Sequence, residues 1–387
     1  VPIRDEMIDA LHLDNPLVVT RGFDRPNLRL EVQRSTTDDD KRDAVVEKVL
    51  ELPKPSLLYV ATRADTDDYA AILRAHGLNA AAYSAGVAAS ERTAVHRAFL
   101  SGALDVVVAT SAFGMGIDKP NVRSVVHAAV TDSVDDYYQQ IGRAGRDGKP
   151  ATAILFYRPE DLGLRRYFVS RSPDPDALAA IVRRLQAPDA PSREELADTL
   201  DLSSRRVTAM LSLLEDAGIV QVDASHIRLL EPLPVEVAVE RAVERAEQAV
   251  RIDQSRVEMM RGYAESSVCR RLYLLGYFGE APGRPCGNCD LCSERGVPAR
   301  AAAPAESLHE RKVAALPGRG ASDTAARGDA VGAEPFPLES RVVHPLWGEG
   351  IVLRNEPDRM TVFFDEEGYK TLSLWAVKER SLLRRIV

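Results

Sequence analysis

Short apolar runs recur through the first part of the chain, at Leu28 to Val32, Leu57 to Val60, Ala80 to Tyr83, Val106 to Ala109, Val125 to His127 and Ala153 to Phe156. Between them, apolar residues return at helical spacing over Arg42 to Leu52, Asp65 to His76 and Ser90 to Leu100. A run that is apolar at every position is a strand covered on both faces, and strands that alternate with helices are joined by crossovers. Residues 21–172 are therefore predicted to form an α/β domain built on a parallel sheet.

The pattern changes after residue 172. Leu196, Ala197 and Leu200 line one short helix. Ser203 then caps a second helix carrying Val207, Met210, Leu211 and Leu214, which ends at Gly218, and Ile219 to Val222 with His226 to Leu230 make a two-stranded ribbon. This is the pattern of a winged helix over 173–233, in which Arg205 and Arg206 stand where a recognition helix leads into a DNA groove. A packing module with solvated arginines is the alternative reading. Glu- and Arg-rich helices lead into a cysteine-bearing module over 234–295. Residues 296–337, dominated by Ala, Gly, Pro and Arg, read as a flexible linker that frees the last domain. Over 338–387 short alternating strands suggest a small SH3-like or Tudor-like barrel, with Trp347, Phe363, Phe364 and Trp375 expected in its core.

Composition narrows this modestly. The 387 residues are 45% hydrophobic, enough for several cores, and no segment has the apolar length of a membrane span. The net charge of −8 is unsuited to uniform nucleic-acid adhesion, so any contact with DNA must come from local basic patches. Without an export-like start, the expected location is the cytoplasm, where cysteines stay reduced.

Two places concentrate chemistry. The first is Gln139-x-x-Gly142-Arg143-x-Gly145-Arg146, two arginines fixed by glycines. A guanidinium is permanently charged and donates in a planar fork that fits phosphate oxygens, so such a pair suits a phosphoryl group in its transition state; a solvated basic turn is the plain alternative. Upstream, Thr110, Ser111 and the Gly114-Met115-Gly116 loop follow a buried strand, where ligands of open α/β sheets collect. Thr62 and Arg63, and Ser84 to Gly86, follow other strands and are expected at the same edge. The second place holds all four cysteines, Cys269, Cys286, Cys289 and Cys292, spaced C-x16-C-x2-C-x2-C. Four closely spaced thiolates suit a closed structural Zn²⁺ site, with Arg270, Arg271 and Arg284 beside them to offset its charge; an iron–sulfur cluster is the rival.

AFGMGIDKPNVR and YYQQIGRAGRDG resemble motifs V and VI of the RecQ family of DNA helicases, and CRRLYLLGYFGEAPGRPCGNCDLC resembles that family's zinc module. Gln140 stands where the family usually has Glu. The resemblance implies a RecA-like domain over 21–172, preceded at 1–20 by the end of a first RecA-like domain. It further implies ATP-dependent 3′ to 5′ DNA unwinding in repair or recombination. Arg146 and Arg143 would be arginine fingers; Gln139, Asp118 and Gly116 would lie at ATP; and Thr62, Arg63, Ser84, Gly86, Thr110 and Ser111 would contact single-stranded DNA phosphates. No G-x-x-x-x-G-K-[ST] or DEAH-like run is present, so ATP and Mg²⁺ would sit mostly on a first domain, and the chain alone is expected to be inactive. The winged-helix candidate precedes the cysteines, the reverse of the family's usual order. The last domain resembles the C-terminal module of UvrD and PcrA helicases, which binds RNA polymerase. Abundant Ala and Arg fit a bacterial source, hence a nucleoid-associated cytoplasmic protein acting on single-stranded and branched DNA. A non-enzymatic DNA-binding adapter and an RNA helicase are the competing readings.

Overall fold

The computed structural model describes residues 10–13, 16, 22–111, 113, 118–163, 173–187, 191–223, 226–280, 284–298, 336–338, 340–355, 359–379 and 382–386. Most of the expected leading segment and linker, and Gly116 with its loop neighbours, lie outside these residues.

Six strands, β1 (Leu28–Arg34), β2 (Ser56–Tyr59), β3 (Ala80–Tyr83), β4 (Val106–Ala109), β5 (Ser124–His127) and β6 (Ala151–Tyr157), form one sheet in the order β1-β6-β5-β2-β4-β3. Every pairing is parallel. Successive side chains point to opposite faces, so each apolar strand feeds two cores. Leu58, Val106, Val108, Ile154 and Phe156 meet α1 (Asp38–Glu51) and α2 (Arg63–Ala75) on one face. Leu57, Tyr59, Val107, Val125 and Leu155 meet α3 (Ala89–Ser101) and α4 (Val134–Ile141) on the other.

A separate core joins α5 (Pro175–Leu185), α6 (Arg193–Thr199), α7 (Ser204–Asp216) and the antiparallel pair β7 (Val220–Val222) and β8 (Ile227–Leu229). Ser203 caps α7 by accepting from Arg206 N, and Gly218 adopts φ +68° after it, as the spacing predicts. The 31-residue α8 (Val235–Glu265) belongs to two cores. Its first half places Ala238 and Ala242 in this one, whereas Val257, Met260, Tyr263 and Ala264 enter the sheet domain's core. There they meet α9 (Arg270–Tyr277) and the cysteines, of which Cys289 precedes and Cys292 lies within the short α10 (Asp290–Glu294).

The cysteine-bearing module also closes the sheet. Strand β1 is an edge whose free N–H groups would be exposed. Val32 N donates to Asp290 Oδ2 at 3.0 Å, and Leu30 N to the Asn288 carbonyl at 3.4 Å.

The last domain is a five-stranded antiparallel sheet, β9 (Arg341–His344), β10 (Gly348–Asn355), β11 (Arg359–Phe364), β12 (Gly368–Ser373) and β13 (Arg384–Arg385), with the one-turn α11 (Leu374–Glu379). Phe364 is buried in its core, Trp347 and Phe363 are half-buried, and Trp375 is 66% exposed, contrary to the expectation of four core aromatics. Nor does the domain stand apart. The β11–β12 turn seats on α8, where Tyr369 N donates to Ser255 Oγ at 3.0 Å and Arg251 pairs with Glu367 at 3.1 Å. Gly368 sits at φ +69°, and a Cβ there would overlap the Ser255 hydroxyl, so only glycine fits this contact. Among the described residues no helix is long and apolar enough to cross a membrane.

Candidate functional site

Strand register divides the predicted residues between two edges of the sheet. Tyr59, Tyr83 and Ala109 end their strands side by side, since Tyr59 and Tyr83 both pair with Ala109. The segments that follow, Thr62–Arg63, Ser84–Gly86 and Thr110–Ser111, therefore emerge together at the carboxyl edge. Thr62 caps α2, accepting from Asp65 N while Asp65 accepts from Thr62 N. Arg63 lies so close to Gly86 that a Cβ on the glycine would overlap the guanidinium. Arg63, Gly86 and Ser111 are exposed and Thr110 half-buried, but Ser84 is buried.

The arginine turn lies at the opposite, amino edge, and not beside the loop after β4. Gly145 N donates to the Val122 carbonyl at 2.8 Å and Asp147 N to the Pro120 carbonyl at 3.1 Å, which pins the turn against the residues leading into β5. Two side chains just ahead of β1 complete the fastening. The Arg25 guanidinium donates to the carbonyls of Gly142, Ala144 and Gly145, at 3.2, 2.7 and 3.1 Å. Asn27 Nδ2 donates to the Gly145 and Lys149 carbonyls, at 2.8 and 2.9 Å. Burial lowers the Arg25 pKa, and the neighbouring Arg146 cation adds to that. Gly145, at φ +58°, has no room for a side chain between Asn27 and the Lys149 carbonyl.

The two arginines differ. Arg146 is exposed, and its Nη1 pairs with Asp118 Oδ1 at 2.9 Å. Arg143 is only 4% exposed, so the expectation of two guanidiniums reaching outward together is corrected. Ala144 and Gly145 are buried beside it, and its side chain runs inward to the Tyr59 hydroxyl. Burial pushes the Tyr59 phenol up to about 12, with Arg143 holding it back. Gln139 is exposed. Gln140 is buried and its Oε1 lies 2.8 Å from His127 Nε2. Burial drives the His127 pKa down to about 4, so the ring is neutral at pH 7 and Nε2 donates to Gln140.

Arg205 and Arg206 stand at the start of α7, in the helical unit that follows the sheet domain. Arg205 is exposed at the start of α7, and Arg206 pairs with Asp174, the N-cap of α5.

All four cysteine sulfurs are buried and lie within 4.8 Å of one another. Two pairs, Cys286–Cys292 and Cys269–Cys289, are separated by 4.0 and 3.9 Å. Tetrahedral Zn–S bonds of about 2.3 Å put sulfurs roughly 3.8 Å apart, so the residues fit one ion of that size, whereas a cluster with its own sulfides would spread the thiolates further. With only protons to share, Cys269 is drawn toward thiolate by hydrogen bonds from Cys286 and Cys289, while Cys286 is raised by the same contacts.

The neighbouring arginines bind elsewhere. Arg270 clasps Asp290 through Nε and Nη2 at 3.1 Å and donates to the Tyr263 carbonyl at 2.7 Å. Arg271 pairs with Asp24 and donates to the Leu28 carbonyl at 2.6 Å. Arg271 thus fastens the cysteine module to the sheet domain, Arg270 ties the module's own segments together, and Arg284 is exposed.

A parallel-sheet domain with a glycine-framed arginine turn at one edge, joined to a four-cysteine metal module, is the architecture of a helicase C-terminal half. Residues 40–148 match the family model for the helicase conserved C-terminal domain, and residues 234–293, which contain all four cysteines, match that for RecQ zinc-binding. An ATP-dependent DNA helicase RecQ from Pasteurella multocida is 31% identical over 289 residues, 75% of this chain and 34% of that protein. A putative ATP-dependent DNA helicase Q1 from Caenorhabditis elegans is 39% identical over 163 residues, 41% of this chain and 26% of that protein. The mouse bifunctional 3'-5' exonuclease/ATP-dependent helicase WRN is 40% identical over 169 residues, 42% of this chain and 12% of that protein. The chain belongs to the RecQ family and corresponds to its C-terminal portion, spanning about a third of the length of the Pasteurella relative. Its cysteine site is accordingly a Zn²⁺ site.

Proposed function

We propose that this chain works within an ATP-dependent DNA helicase that moves 3′ to 5′ on single-stranded DNA and opens duplex or branched DNA in repair or recombination. The observation that carries the reading is the division of the sheet: phosphate-type donors gather at the carboxyl edge, while an exposed guanidinium, Arg146, is held rigidly at the amino edge. A motor that converts nucleotide hydrolysis into movement along a strand needs two such sites on one rigid body.

At the amino edge, Arg146 is the finger. Its salt bridge to the exposed Asp118 is one that an incoming phosphoryl group can replace, since a solvated pair holds less than about 1 kcal/mol. Arg143 anchors the turn from inside, Gln139 and Asp118 line the approach, and Gly116, which lies outside the described residues, is assigned to ATP by the family resemblance alone. ATP with Mg²⁺ would be bound mainly by a P-loop-bearing domain outside this sequence, and it supplies the phosphoryl bond that is broken. Across the sheet, Thr62, Arg63, Gly86, Thr110 and Ser111 offer hydroxyls, a guanidinium and closely approachable backbone to a DNA strand, with Ser84 contributing main chain only. Helices α6 and α7 with the β7–β8 ribbon act as a winged helix that presents Arg205 and Arg206 to DNA. The terminal sheet serves as a Tudor-like docking module for a protein such as RNA polymerase. The location we infer is a bacterial cytoplasm, at the nucleoid.

The test joins this chain to a P-loop-bearing RecQ first domain and measures ATP turnover with and without single-stranded DNA. Strand-stimulated hydrolysis is expected from the joined protein and none from the chain alone; vigorous turnover by the chain alone would contradict the two-wall arrangement.

A further inference from the structure

Helix α4 leads directly into the arginine turn, and two tyrosines from the helices around the metal site grip it. Tyr263, near the end of α8, donates its hydroxyl to that of Tyr137 at 3.3 Å, with the two rings 5.0 Å apart and both fully buried. Tyr277, at the end of α9, donates to Asp135 Oδ2 and lies 2.7 Å from the Tyr369 hydroxyl of the terminal domain. Asp135 and Tyr137 are thus two points at which α4 is hydrogen-bonded from outside its own domain, beside the packing of Tyr138 on Phe278.

Both tyrosines are placed by the metal module. Arg270 adjoins Cys269 and Asp290 adjoins Cys289, so their ion pair ties two of the four ligand turns together. The same guanidinium donates to the Tyr263 carbonyl and lies over its ring, 5.8 Å from the centroid. Tyr277 ends the helix that begins at Cys269. From α4 the path continues inward: Tyr137 packs on His127, and His127 stacks on Tyr59, whose hydroxyl meets Arg143.

We propose that Tyr263 and Tyr277 are positioning residues for the arginine turn, gripping α4 so that metal occupancy of the four-cysteine site sets the placement of Arg143 and Arg146. The zinc module then does more than close the edge of the sheet. The kinetic part of the test rests on the helicase reading; the exchange part does not.

Tyr263→Phe and Tyr277→Phe each remove one hydroxyl and keep the ring, so zinc content and folding should be retained at one ion per chain. In this 387-residue chain, amide hydrogen exchange over residues 142–148 should accelerate severalfold in the double variant. In the protein joined to a P-loop domain, kcat for ATP should fall about fivefold per hydroxyl, the scale of one neutral hydrogen bond, with KM for ATP within about twofold. Stripping zinc with a chelator should accelerate exchange over 134–148 as well as over 266–295. Unchanged exchange over 142–148 in a zinc-loaded double variant, or acceleration confined to 266–295 after chelation, would overturn the proposal. If exchange responds but the joined protein hydrolyses no ATP, the grip stands and the helicase reading fails.

Discussion

The sheet domain and the cysteine module share one continuous core, yet they are held by different forces. In the sheet domain, largely apolar strands feed helices on both faces, and burial and the strand ladders hold it everywhere except at the β1 edge, which the cysteine module covers. The cysteine module has few strands or helices of its own: a short helix, a one-turn helix and a long helix lent by two cores. Its stability is concentrated in four sulfurs and one buried ion pair. A domain built by burial tolerates single changes at its rim, whereas a module built by ligands does not.

Removing one ligand is the harshest way to break this comparison. Cys289→Ser should abolish stoichiometric zinc and unfold residues 266–295, because binding at such sites contributes about 10–16 kcal/mol of folding free energy, while strands β2 to β5 keep slow amide exchange. Uniform loss of protection across both regions would show that the sheet domain depends on the module. Arg270→Ala, which strands Asp290 in a part-buried site, should destabilise by about 3–5 kcal/mol in urea unfolding. A change near zero would mean that the metal alone holds the module.

In the sheet domain the expected effects are smaller. His127 is neutral when folded, with its pKa lowered to about 4 from the ordinary 6.5. Between those values the unfolded chain binds a proton that the folded chain refuses, so stability falls as pH drops from about 6.5 to 4 and is unaffected above 6.5. The loss approaches about 3 kcal/mol. The difference in stability between wild type and His127→Phe, followed by urea titration across this window, should shrink by that amount as pH falls; a constant difference would place the histidine in contact with water. Thr62→Ala, which removes the cap of α2, should cost only about 1 kcal/mol in the same measurement.

The strands were legible because short apolar runs between helical segments mark strands buried under helices, and all six lie within two residues of their predicted ends. The metal site was legible because its ligands are close in sequence. What stayed hidden depends on distant partners. Arg25 and Asn27 flank Pro26 in an unremarkable pre-strand segment, and their acceptors lie more than a hundred residues away. The inward course of Arg143 depends on Tyr59, and the pairing of Arg270 on Asp290, neither of which local pattern reveals. Trp375 was expected inside because it is large and apolar, but the one-turn helix that carries it covers the sheet with Val377 instead. The seating of the terminal domain rests on Gly368 meeting Ser255, a match of shape between positions more than a hundred residues apart.

The central claim is that Arg146, fastened at the amino edge by Arg25 and Asn27, acts on a triphosphate held by another domain. Measuring ATP turnover and single-stranded DNA affinity together for Arg146→Ala, in the protein joined to a P-loop domain, tests it most directly. The account predicts that kcat falls by about a thousandfold or more, with DNA affinity little changed. An unaltered kcat, or an equal loss of turnover and DNA affinity, would contradict it.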